Sequence, residues 1–247
     1  MERTCARAVE LGLRSVAFTD HADFTAWTLL GNEAGRVLFP PALPLEGYFE
    51  CLLRCRERFP ELQILSGVEL SEPHWHSQAA ASLLHQGGFD LVICGQHSLH
   101  HGPDAFIEVS DGYRSSEASA VVRSYLTEVG RMMDAWDDFE VLAHIDYPVR
   151  SWPRQCRRYQ PGDFEEEFRA VLHALARSGR VLEVNTKVPL HPEIIRWWRQ
   201  EGGQAVSFGS DAHDPLALAR GFADAAAVVE ASGFRPGRYR HDFWMRT

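Results

Sequence analysis

Six short apolar runs, separated by helix-like stretches, constrain this chain more than any other feature. The runs are 15–21 (SVAFTDH), 64–70 (ILSGVEL), 89–97 (FDLVICGQH), 140–147 (EVLAHIDY), 180–186 (RVLEVNT) and 204–211 (QAVSFGSD). Around and between them lie stretches near 2–12, 46–59, 76–87, 115–136, 163–178, 191–202 and 215–232. In these, apolar residues recur every three or four positions, as in Phe164, Phe168, Val171, Leu172 and Leu175, which is the helical period. Strands that are apolar nearly throughout and separated by helices bury both faces, which argues for a parallel sheet. No repeat or low-complexity linker breaks the alternation, so residues 1–247 read as a single α/β domain. The chain opens inside an amphipathic helix, where the alternation would place a strand.

Composition narrows the function. The chain is 45% hydrophobic and 24% charged, a balance that supports a sizeable core. Its formal charge of −9 argues against nucleic acid and anionic membranes as partners. No apolar run approaches the roughly 20 residues of a membrane span, and the start lacks a signal-peptide pattern. Five cysteines without a C-x-x-C point to a reduced, cytoplasmic protein.

The chemistry collects at the ends of the runs. They finish on Asp20-His21, Glu69, His97, His144-x-Asp146, Asn185-Thr186 and Asp211-x-His213. Any one of these alone reads as a hydrogen-bonded strand end or a helix cap. In a parallel barrel, however, all of them meet on one rim, where the loops after the strands form the active site. Several ionisable groups in one cleft are costly to bury unpaired, and divalent cations would neutralise the carboxylates and engage the imidazoles. Four histidines with Glu and Asp form an N/O donor set that suits Zn, Mn or Fe and exceeds the needs of one tetrahedral ion. Two or more ions are therefore the economical count, able to hold a hydroxide nucleophile and orient a phosphate. Three long connections, 22–44, 98–114 and 148–162, are placed to wall the site. The last carries Arg150, Arg154, Arg157 and Arg158, and arginine forks suit phosphate; paired surface charges would account for them equally well.

The segments FTDH (18–21), GVE (67–69), GQHS (95–98), HIDYP (144–148), EVNT (183–186) and GSDAH (209–213) resemble, in order, the motifs of the PHP family of metal-dependent phosphoesterases, and most closely its histidinol-phosphatase branch. The resemblance implies a distorted (β/α)7 TIM-like barrel with a trinuclear metal centre. Carried over to this sequence, it makes Glu69 a bridge between two ions, with Asp211 on one and His97 and His144 on the other. His21 and His213 would serve a third. Glu69, His144 and Asp211 would be catalytic through the metal-held hydroxide, while Arg150, Asn185 and His74 would contact the substrate. The expected reaction is hydrolysis of L-histidinol phosphate to L-histidinol and phosphate, in histidine biosynthesis. The general acid and the oligomeric state are left unassigned.

One motif is missing. The family opens with an H-x-H at the end of its first strand, and residues 1–20 contain no histidine. We expect a chain start at an internal Met, with the first strand encoded upstream, since a barrel lacking a strand exposes an edge. Three rival readings remain: a PHP-family phosphoesterase of another substrate; a catalytically impaired PHP-like structural or binding module, favoured by the missing motif; and an amidohydrolase, for which Lys187 is the one strand-end lysine. Of the remaining histidines, His76, His100 and His101 stand near the site in sequence, whereas His85, His173 and His191 read as surface or structural.

Overall fold

A computed structural model describes residues 1–238 and 242–247. Its principal elements follow in chain order: α1 (Glu2–Glu10), β1 (Ser15–Ala22), α2 (Leu45–Arg58), β2 (Gln63–Ser71), α3 (Ser77–Gly87), β3 (Leu91–Gly95) and α4 (Ala118–Ala135). They continue with β4 (Val141–Leu142), α5 (Glu165–Arg177), β5 (Val181–Asn185), α6 (Pro192–Gln200), β6 (Ala205–Gly209), α7 (Phe222–Ala231), β7 (Phe234–Arg235) and β8 (Trp244–Arg246). Strands β1 to β6 lie side by side in chain order, each parallel to the next. This winding sends all six C-terminal strand ends to one rim.

The helical periods translate into buried faces. On α5, Phe168, Val171, Leu172 and Leu175 are buried while three glutamates occupy the first turn, where the positive end of the helix dipole favours them. Burying each such side chain contributes about 1.5–3 kcal/mol, so this face holds the helix to the sheet. Trp198 of α6 is fully buried and donates its Nε1–H to Ala205 O at 3.0 Å. A Cβ on Gly203 would lie 2.1 Å from the Trp198 ring, so the glycine is what admits the indole.

The six parallel strands and their helices form the wall of the expected TIM-like barrel, whose ladder stays open. Among the described residues the sheet has eight strands, with β1 at one edge and β7 at the other. At the far edge β8 adds antiparallel to β6 and β7 antiparallel to β8, fixed by buried Phe234 and by Trp244 packed edge-on against Phe208 at 5.1 Å. They are too short for any alternation to show in sequence. The connection 22–44 holds a small hairpin pairing Trp27–Thr28 with Val37–Leu38, and 98–114 holds another pairing Ser98–His100 with Phe106–Glu108. The helix expected over 215–232 divides at Gly221, whose φ of 78° is a left-handed conformation that glycine adopts without steric cost. Asp214 caps the short turn before it, accepting Leu216 N–H at 2.8 Å.

Candidate metal centre

The register of β1 against β2 sets His21 directly across from Glu69. His97 and His144 stand just past the last paired residues of β3 and β4, outside the ladder, where the chain can turn their rings back over the strand ends. The turn is sharp at His144, where φ is 23°; Glu72 (φ 47°) and Asp211 (φ 48°) are likewise in the left-handed region. Such backbone costs about 1–3 kcal/mol per residue and collects at functional sites. Three of the four non-glycine residues with positive φ among the described residues are here. Space for the rings comes from Gly95, where a Cβ would lie 2.7 Å from His144 Cε1 and 3.0 Å from Glu69 Oε1.

Glu69, His97 and His144 form one convergent group of donor atoms. Glu69 Oε1 lies 2.7 Å from His144 Nε2 and 3.3 Å from His97 Nε2, and the two Nε2 atoms are 3.2 Å apart. All three side chains are buried. Burial would raise the Glu69 pKa, but His144 and then His97 hold it well below the carboxylate range. Burial likewise opposes charge on His97, yet Asp23 and Glu69 raise its pKa to about 10. Two imidazole nitrogens and a carboxylate oxygen converging on one buried point can share a cation, and the set N₂O is a zinc-type set. The residues present therefore fit a divalent metal.

A second group, His21, Asp23 and His97, adjoins the first. His21 Nδ1 stands 3.7 Å from Asp23 Oδ1 and 3.8 Å from Glu69 Oε2, and its ring lies 5.7 Å from that of His213. Asp23 raises the His21 pKa against the effect of burial. The sequence reading missed Asp23. Its signal was present, since it lies two residues past His21, but an Asp in a loop start is too common to single out.

Asp211 joins neither group. Arg150 lies 2.5 Å from its Oδ2, and Lys187 Nζ lies 3.2 Å from its Oδ1, alongside His213 Nδ1 at 3.3 Å. Burial would raise the Asp211 pKa, but Arg150 and Lys187 lower it. The Arg150 guanidinium lies 4.6 Å from the Tyr147 ring centroid. That ring in turn packs 4.9 Å from His97 and 5.0 Å from His144, so one aromatic plate joins the cationic pair to the histidines. Together His21, Asp23, Trp27, His97, Tyr147, Arg150, Lys187, Asp211 and His213 line a cleft of about 200 Å³.

The other expected contacts go elsewhere. Asn185 is buried, bonding Glu183 Oε2 at 3.0 Å and accepting Lys187 N–H at 2.9 Å. It shapes the Lys187 turn and does not line the cleft. His74 turns away beneath α4, its Nε2 3.7 Å from Glu128 Oε2 and its side chain only 5% exposed. Of the four arginines in 148–162, Arg150 alone reaches the cleft; Arg154, Arg157 and Arg158 are exposed, and Arg157 pairs with Asp163 at 2.5 Å. His85, His100, His101 and His173 are exposed, and His191 caps α6 by accepting Glu193 N–H at 3.3 Å. Two buried carboxylates escaped the sequence reading although they hold the site: Glu72 accepts His97 N–H and Ser98 N–H, and Glu183 accepts His144 N–H at 2.8 Å. Burial raises the pKa of both.

The histidinol-phosphatase of Lactococcus lactis subsp. lactis (strain IL1403) is 24% identical over 220 residues, covering 83% of this chain and 75% of that protein. A protein of Thermotoga maritima named "Probable histidinol-phosphatase" is 24% identical over 237 residues, covering 91% of this chain and 82% of its own. In structure, the L. lactis histidinol phosphate phosphatase, solved with zinc, L-histidinol and phosphate, superposes with a TM-score of 0.78 at 22% identity, over 94% of this chain and 86% of that one. Residues 1–187 match the model of the PHP domain, and the chain belongs to the PHP family.

Proposed function

We propose that this chain is a metal-dependent phosphomonoesterase whose substrate is L-histidinol phosphate, working as a single PHP unit in the cytoplasm. The observation that carries the reading is a cleft lined by Arg150, Lys187 and His97, the last of which belongs to the buried N₂O donor group with Glu69 and His144. The relatives of similar sequence bear the histidinol-phosphatase name, and the similar structure holds zinc, L-histidinol and phosphate.

Glu69, His97 and His144 would hold one divalent ion; His21, His213 and Asp211 stand next to it as donors for others. Bound there, such ions supply Lewis acidity toward phosphate oxygens and lower the pKa of water. The chain's own groups do the positioning. Arg150 and Lys187 flank Asp211 at the cleft wall, where a forked guanidinium and an ammonium can share the oxygens of a phosphate. Tyr147 supports Arg150 from below and is itself anchored by donating to Glu108 Oε1 at 3.0 Å. Trp27 closes one side, held by its Nε1–H to Ser98 Oγ at 2.8 Å. Hydrolysis breaks the phosphorus–ester oxygen bond and yields L-histidinol and phosphate.

The test is phosphate release by the metal-loaded protein from L-histidinol phosphate and a panel of other phosphomonoesters. Turnover with preference for L-histidinol phosphate is expected. Metal binding without release from any monoester would overturn the enzyme and leave a binding module.

A further inference from the structure

The His97 ring has two nitrogens and two carboxylates competing for it. Its Nε2 faces Glu69 and His144; its Nδ1 lies 2.8 Å from Ser71 Oγ and 3.5 Å from Asp23 Oδ1. Ser71 Oγ also makes a short contact to Asp23 Oδ1. Ser71 is 1% exposed, and it is the last residue of β2, opposite Gly95 of β3 in the ladder. A hydroxyl has a single hydrogen, and an ionised carboxylate only accepts. Ser71 therefore donates to Asp23, and its oxygen is left to accept from His97 Nδ1–H. With the proton committed to Nδ1, the lone pair of the neutral ring is on Nε2, the atom that points into the donor group.

We propose that Asp23 and Ser71 form a two-step relay that fixes the tautomer and angle of His97, making them positioning residues of the metal centre and removing Asp23 from its ligands. The alternative, His21, Asp23 and His97 as a cation site of their own, requires His97 to give Nδ1 to a second ion. Ser71 already occupies that nitrogen at 2.8 Å, so His97 has none to give such an ion. The backbone of the same histidine is held from the other side, where Glu72 accepts His97 N–H and is itself bonded by Thr25 Oγ1 at 2.8 Å. His97 is thus fixed at both ends by carboxylates that do not touch the donor point.

A carboxylate reaching a ligating histidine through its second nitrogen raises ligand basicity, and its loss typically weakens metal binding about 10–100-fold. The proposal rests on His97 being a ligand, so the experiment measures metal rather than turnover. Zinc affinity by chelator competition and zinc content per chain are compared for the wild type, Ser71→Ala, Asp23→Ala, the double variant, Ser71→Thr and His97→Ala. Both relay variants should lose about 10–100-fold in affinity with unchanged zinc content at saturation. The double variant should be no weaker than the worse single one, because the chain is already broken. Ser71→Thr, which keeps the hydroxyl, should restore affinity. Loss of one zinc in Asp23→Ala but not in Ser71→Ala would make Asp23 a ligand and overturn the relay. Unchanged affinity in Ser71→Ala, with His97→Ala strongly weakened, would also overturn it while leaving the metal centre intact. If His97→Ala binds zinc normally, the metal-centre reading itself fails. Should Asp23→Ala not fold, Ser71→Ala and Ser71→Thr decide alone.

Discussion

Gly95→Ala separates the geometry of the metal centre from the stability of the fold. An added Cβ would stand 2.7 Å from His144 Cε1, 3.2 Å from His144 Nε2 and 3.0 Å from Glu69 Oε1. Carbon atoms rest at about 3.5–4.0 Å, so the His144 ring must retreat by close to 1 Å. It cannot do so by sliding its backbone: His144 N–H is held by Glu183 at 2.8 Å, and its carbonyl accepts from Tyr125 Oη at 3.0 Å. The ring is forced to tilt, pulling Nε2 off the point it shares with Glu69 and His97. Overpacking costs about 1–3 kcal/mol, against which alanine gains about 0.5–1 kcal/mol over glycine in a strand. The net loss is about 0–2.5 kcal/mol, or a fall in Tm of at most about 10 °C for a chain of this size. A displacement of about 1 Å at the reacting groups costs roughly 100-fold in rate, close to 2.7 kcal/mol in transition-state stabilisation. Activity should therefore fall about 100-fold in a protein that stays folded at the assay temperature, and zinc affinity should fall with it. The assay pairs kcat/KM and zinc competition with thermal unfolding of the metal-free protein. A variant within about threefold of wild type in both activity and zinc affinity, well short of that 100-fold loss, would refute the idea that this close approach sets the centre.

Other outcomes follow from the same contacts. Gly209→Ala places a Cβ 1.8 Å from Glu183 Oε1, so Glu183 must leave its bond to His144 N–H; a loss of about 2–4 kcal/mol is expected, and an unchanged denaturation midpoint would contradict it. Burial, then the charges of His76, His100 and Arg131, hold His74 at about 4 against an ordinary 6.5. Between those values the unfolded chain binds more protons, so stability falls as pH drops from 6.5 toward 4. His74→Gln should remove up to about 3 kcal/mol of that acid sensitivity, read from denaturant midpoints at about pH 7 and pH 4.5; equal slopes in both proteins would mean that Glu128 stabilises the charged ring instead. Arg150→Met should weaken inhibition by inorganic phosphate about tenfold, or about 1.4 kcal/mol, while zinc content stays constant. Unchanged phosphate inhibition would remove Arg150 from the phosphate site.

Much of the architecture was legible because burial on both faces leaves a strand few choices. Runs such as LVICG and VLEVN admit a polar group mainly where the strand emerges, so the ionisable residues that end them had to gather on one rim. That logic located Glu69, His97 and His144 without any knowledge of what lies between them. It failed at the ends of the sheet: β7 and β8 pair through two residues at each ladder, too few to carry a period. It failed also for His74, which follows Ser71 closely in the chain; nothing in that spacing says whether its loop turns toward the cleft or under α4.

Hydrophobic period and strand-end polarity are local properties of a chain, which is why the run of strands, the helical faces and the rim that carries the chemistry could be read from residues 1–247 alone. Which polar groups meet on that rim is not local. Asp23, Ser71 and His97 come from three separate strand ends, and their contact depends on parallel register, which linear spacing does not encode. Asp211 was expected to serve one of the two ions bridged by Glu69; it lies near enough to Glu69 to feel its charge, and Arg150 and Lys187, reaching in from two other loops, pair with it. A buried carboxylate takes whichever charge the fold brings within about 4 Å, and that distance is set by packing across the rim.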